Sequence, residues 1–136
     1  MRSEGQRVAA FDTNVIVRAL VGDDPAQTKR AERAFLAHAN DEGVFVSLVV
    51  LAEVGWVLAA AYEWDRATIH ARLTRLVRTR GVEIELLELV EQALDDYAAG
   101  KADLADYLIL GKARSIGQKL VTFDRKLARE NDVTLL

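Results

Sequence analysis

Five acidic residues stand where an α/β chain could gather them: Asp12, Glu53, Asp103, Asp106 and Asp124. Asp12 closes the apolar run VAAFD and Asp124 closes KLVTFD, each at the last position of a predicted buried strand. Open parallel sheets bind ligands outside the carboxyl ends of their strands, so both acids point to one edge. Asp103 and Asp106 are three apart at a predicted helix start and share a face. Glu53 lies inside the apolar stretch VSLVVLAEVGWVLAAAY, Val46 to Tyr62. The sequence predicts a buried helix there, in which an unpaired carboxylate costs several kcal/mol of desolvation.

Taken singly, most of these acids have a structural explanation. An Asp between a strand and a helix caps the helix, and Asp103 with Asp106 has the spacing of a cap and its third residue. A mid-helix Glu could pair with a buried Arg or lie on a narrow solvated stripe. As a set, carboxylates from separate segments converging on one edge repel one another and raise their pKa values. A hard divalent cation removes that conflict, and Mg²⁺ or Mn²⁺ prefers carboxylate oxygens. Such an ion suits water activation and phosphodiester cleavage.

The elements that must position the acids alternate between strand and helix. VAAFD, VFVS, VEIELLE, KLVTFD and VTLL read as strands, and the segments between them have helical spacing. Asp24 with Pro25, Ser47, Asp65 and Asp103 are predicted helix starts. This pattern predicts an α/β fold, a three-layer α/β/α sandwich around a largely parallel sheet of four to five strands. With 136 residues and no linker or repeat, one domain over 1–136 is expected.

The bulk numbers narrow the function classes. The net charge is −3 and the pI about 5.4, so a nucleic-acid ligand requires a local basic surface or a metal ion. The absence of cysteine excludes disulfides and thiolate metal sites. The N-terminus MRSEGQRVAAFD has no sustained apolar core, and the Val46–Tyr62 run is interrupted by Glu53. A cytoplasmic protein with no membrane segment is therefore expected.

Local positive charge lies in Asp65–Gly81, where Arg72, Arg75 and Arg78 fall on one slanted stripe able to track a phosphate backbone. Arg18, Lys112, Arg114, Arg125 and Lys126 lie in or near the acidic motifs and could touch phosphates. His38 and His70 have no partner histidine and read as ordinary residues. Trp56 and Trp64 read as core or interface aromatics, not stacking platforms for bases.

The segments FDTNVIVRALVGDDPAQ, SLVVLAEVGWVL, KADLADYLILGKA and LVTFDRKL resemble, in order and spacing, the acidic motifs of PIN-domain ribonucleases. More narrowly, they are similar to the VapC-type toxins of bacterial toxin–antitoxin pairs. The resemblance covers nearly the whole chain. It implies a metal-dependent endoribonuclease using Mg²⁺ or Mn²⁺, with family acids at Asp12, Glu53, Asp106 and Asp124. Asp12 would be the central ligand, with Glu53 and Asp106 completing or orienting the shell and Asp124 acting through water or a second metal. It makes Asp103 accessory, and Thr13, Asn14 and Thr122 supports of the site. The implied partners are an RNA substrate (transfer, ribosomal or messenger), a VapB-type antitoxin and a second copy of the chain.

Other classes are weaker. A phosphatase of the haloacid-dehalogenase type wants a second Asp two residues after Asp12, where Asn14 stands. A receiver domain wants paired acids at the first strand. A purely regulatory role in an operator complex leaves the acid set without a purpose, and no helix-turn-helix is evident.

Overall fold

A computed structural model describes residues 8–136; residues 1–7, which carry most of the leader expectation, lie outside the described part. Five short strands are present: β1 (Ala9–Ala10), β2 (Val44–Val46), β3 (Val82–Ile84), β4 (Leu120–Thr122) and β5 (Val133–Leu135). Between them run α1 (Thr13–Val21), α2 (Pro25–Ala39), α3 (Leu48–Ala60), α4 (Arg66–Val77), α5 (Leu87–Ala99) and α6 (Leu104–Ser115). A 3-10 turn, Leu127–Arg129, precedes β5. The expected α/β class is what is found, and every strand pair is parallel.

The strands form two hydrogen-bonded sets, β1-β2-β3 and β4-β5, instead of one continuous sheet. Each strand is two or three residues long and so offers few ladder positions. β1 stops at Ala10, two residues before Asp12, although the Phe11 N–H still donates to the Phe45 carbonyl at 3.0 Å.

Side chains start the helices where the sequence indicates. Asp24 accepts from the Gln27 N–H with Pro25 at the first helical position; Ser47 accepts from Val50 and Asp65 from Thr68. α1 stops at Gly22, whose φ of 73° is the left-handed conformation glycine adopts without steric penalty. Glu85, just past β3, accepts the Leu48 N–H at 2.8 Å and ties that strand end to the start of α3.

Helix α3 departs from expectation. Leu51, Val54, Gly55 and Leu58 are buried, but Val49 is 67% exposed, Trp56 64% exposed, and Glu53 between them faces outward. An apolar helix need not be surrounded: one stripe meets the core, and here the opposite stripe is apolar as well. No helix among the described residues is long and apolar enough to cross a membrane.

The core joins the strands to one face of each helix through residues such as Val44, Val46, Leu58, Leu73 and Leu110. α3 packs on both α1 and α6, and α5 packs on α4 and α6. The α3–α6 approach is close because residue 55 is glycine: a Cβ there would stand 3.1 Å from Leu104 Cδ2. The loop leading into α6 is held by Tyr107, whose hydroxyl accepts the N–H groups of Lys101 at 3.2 Å and Ala102 at 3.3 Å. Tyr107→Phe should lower stability by about 1–2 kcal/mol, because it strands a buried backbone donor. The readout is a lower urea midpoint at unchanged slope.

Candidate functional site

Each strand-end acid is fixed by the backbone that follows it. Asp12 caps α1, its Oδ1 accepting the Val15 N–H at 3.2 Å. Thr13 and Asn14 form the first turn of that helix, with Asn14 exposed and Thr13 half-buried. Asp124 Oδ1 accepts from Lys126 at 2.8 Å and Leu127 at 3.0 Å, which starts the 3-10 turn. Thr122 Oγ1 accepts the Asp124 N–H at 3.0 Å and sets the backbone there. The capping explanation therefore holds for both, yet Oδ2 of each accepts no hydrogen bond among the described residues.

Asp106 reaches back so that its Oδ2 accepts the Asp103 N–H at 3.2 Å, the return half of a capping box. Burial pushes the Asp106 carboxyl above its ordinary range, and the charges of Asp103 and Asp124 push it further; the Asp103 N–H opposes them. Asp103, Asp106 and Asp124 thus share one electrostatic neighbourhood, built from α6 and the turn after β4. Burial is not what commits Glu53 to a ligand, since its carboxylate is exposed and makes no hydrogen bond or ion pair among the described residues.

Among the described residues, no three Asp, Glu or His side chains stand close enough together to hold a metal ion. The donor chemistry nonetheless suits a hard cation: the acids offer only oxygen, and the repulsion felt by Asp106 is the kind that bound positive charge relieves.

The basic residues divide into anchored and open groups. Arg18 is committed inside the fold: it donates to Gln27 at 2.7 Å, to Asp23 at 2.9 Å and to the Tyr62 hydroxyl at 2.9 Å. The Tyr62 hydrogen bond and the Asp23 charge raise its pKa further. Arg72 donates to the Leu20 carbonyl at 3.1 Å and lies over the Trp64 ring, 5.5 Å from its centroid. Arg114 holds the Asn131 carbonyl at 2.6 Å. Arg75, Arg78, Lys112, Arg125 and Lys126 are exposed. The Arg72–Arg75–Arg78 stripe is thus open only at its last two members.

Sequence reasoning missed two features. Glu85 is one, because nothing in VEIELLE marks a carboxylate that reaches another element. Trp56 is the other: it lines a groove of about 300 Å³ whose walls include Gly55, Ala59, Asp103 and Asp106. The recurrence of Val49, Glu53 and Trp56 at helical spacing was the available signal, since it places the ring on the face of Glu53.

Residues 9–132 match the family model of the PIN domain. A VapC ribonuclease from Aquifex aeolicus (strain VF5) is 24% identical over 122 residues, covering 88% of this chain and 89% of that protein.

Because the folded state raises the Asp106 pKa, the charged form destabilises the fold, and that penalty is fully present above the raised pKa. Asp106→Asn, which keeps an acceptor for the Asp103 N–H, should therefore raise the melting temperature at neutral pH. The gain should fade as pH falls below the ordinary carboxylate range near about 4. Thermal melts of both proteins across pH measure the difference.

Proposed function

The chain belongs to the PIN-domain family, and on that footing we propose that it is a metal-dependent endoribonuclease of the VapC toxin type. The carrying observation is the match of residues 9–132 to the PIN-domain model, with Asp12, Asp106 and Asp124 each held by a backbone N–H. A metal-dependent nuclease uses such an acid set, because acids that alone would repel a phosphodiester attract the cation that admits it.

Asp12, Glu53 and Asp106 would hold the ion, Mg²⁺ or Mn²⁺, with Asp124 beside them and Asp103 accessory. When bound, the ion supplies a more acidic water and neutralises charge on the phosphodiester. The chain's own contribution is orientation. The Val15 N–H fixes Asp12, the Lys126 and Leu127 N–H groups fix Asp124, and the Asp103 N–H fixes Asp106. Thr122 sets the backbone at Asp124, while Thr13 and Asn14 set the helix start after Asp12. Arg75, Arg78, Lys112 and Arg125, all exposed, would meet RNA phosphates. Arg18 and Arg72 act through the fold, since their guanidinium groups are already engaged.

The relative's name, a VapC ribonuclease, supports RNA cleavage. A VapB-type antitoxin, a cytoplasmic setting and transfer, ribosomal or messenger RNA as substrate belong to the same proposal. A homodimer of a single-domain chain completes this reading.

Antitoxin-free protein incubated with a structured RNA pool and Mg²⁺ or Mn²⁺ should give discrete cleavage. Chelator should abolish it, and Asp12→Asn should reduce it by more than about 100-fold, beyond the loss typical of disturbing a ligand's outer support. Mn²⁺ should also raise the melting temperature of the native chain and do so less for Asp12→Asn. Folded protein that neither cleaves RNA nor responds to Mn²⁺ would contradict the proposal.

A further inference from the structure

A groove of about 450 Å³ runs between α1 and α2, and Asn14, two residues past Asp12, is part of its wall. Asn14 and Arg18 stand one turn apart on α1, and Gln27 and Arg30 one turn apart on α2; the remaining lining is Val15 and two alanines of α2. No Asp or Glu lines it, in a chain whose net charge is −3. The donors are set in place by the fold. Arg18 Nε donates to Gln27 Oε1 at 2.7 Å, and a guanidinium only donates, so the carboxamide oxygen must face it. That leaves the Gln27 Nε2 amine without a partner among the described residues. Thr28 Oγ1 donates to the Arg18 carbonyl at 3.2 Å and ties the start of α2 to the end of α1. Asp23 offsets the charge of Arg18. Arg30 is exposed and makes no hydrogen bond or ion pair among the described residues, so it is the uncompensated charge of the groove.

We propose that this groove seats a backbone phosphate of the RNA strand, next to the one being cleaved, with Arg30 as its charge partner and the amides of Gln27 and Asn14 as neutral donors. The proposal rests on the ribonuclease reading and adds one stretch of the strand's path to it. Contacts of this kind fix the position and register of a strand without reading its sequence. Asn14 to Arg18 is about 6 Å of helix rise, so the seat lies within one turn of the end of α1 that carries Asp12.

An acidic protein segment is the other occupant whose charge matches. Covalent continuity favours RNA. A strand held at Asp12 by the cation delivers its neighbouring phosphate to the groove at high effective concentration, whereas an acidic peptide has no such tether.

The test is the salt dependence of RNA binding by the full chain. A labelled single-stranded RNA is titrated at a fixed low concentration of Ca²⁺ over a range of KCl, and the recovered RNA is checked for integrity. Losing one phosphate contact lowers the slope of log K against log salt by about 0.7 for a single strand. Arg30→Ala should show that change, with an affinity loss of about fivefold. Gln27→Glu is a second probe: its carboxylate still accepts from Arg18, so the fold is kept, but it meets the phosphate with like charge. It should weaken binding by about tenfold at low salt, and the loss should narrow as salt screens it. Lys119→Ala removes the same charge as Arg30→Ala at the start of β4, the strand end opposite Asp124, and should leave the slope as it is. Unaltered slope and affinity in folded Arg30→Ala protein overturn the proposal, as does an equal loss in Lys119→Ala, which reduces the effect to net charge. Loss of polyglutamate binding in Arg30→Ala with RNA affinity unaltered also overturns it and assigns the groove to an acidic protein segment. Failure of the nuclease reading is separately visible: the native chain would cleave no RNA while binding still depended on Arg30, and the groove would stand as a phosphate seat without the cleavage.

Discussion

The closeness of α3 to α6 is the constraint on which the site depends. It exists because residue 55 has no side chain, which lets Leu104 settle against the backbone of α3. Leu104 follows Asp103 and precedes Asp106 by two positions, so the contact that seals this part of the core also sets the depth of the first turn of α6. A larger residue at 55 would push away the acids along with the leucine. Tyr107 works toward the same end from the other side, gripping the two amides that lead into the helix.

A second constraint is electrostatic, and it is met by sharing atoms between structure and chemistry. The carboxylates of Asp12 and Asp124 each use one oxygen to satisfy backbone donors at a helix or turn start. Backbone N–H groups are rigid partners, and a carboxylate bonded to them is held in place. Asp106 is treated similarly and still bears the strain of two nearby charges. The basic residues show the opposite economy. Arg18 and Arg72 are spent on holding the chain together, so the cations free to meet a polyanion are those on the outer turns.

Much of this was legible in the sequence. Caps are local, so Asp24 with Pro25, Ser47 and Asp65 could be placed from neighbouring residues alone, and each makes its predicted bond. Apolar runs that stop at a charge placed Asp12 and Asp124 near the ends of β1 and β4, although each lies two residues beyond the last strand residue. What could not be read was orientation across elements. α3 is apolar on nearly every side, so periodicity gave no indication which stripe faced the core, and Glu53 could be read either inside the core or on a solvated stripe; it is exposed. The fate of arginines was similarly hidden, because the carbonyl of Leu20 and the hydroxyl of Tyr62 are remote in sequence from Arg72 and Arg18. The division of the strands into two sets depends on a few backbone bonds that side-chain pattern does not encode.

The capping role of Asp12 and Asp124 separates the scaffold from its chemistry. Asparagine caps a helix about as well as aspartate does, because the carboxamide oxygen accepts the same N–H. A chain with the amide at either position would keep its helix start, and with it the shape seen by any protein partner, while losing the charge. On the proposed nuclease reading, disarming this fold therefore requires no unfolding: an inert copy, still able to occupy the surfaces of the active one, is a single carboxylate away.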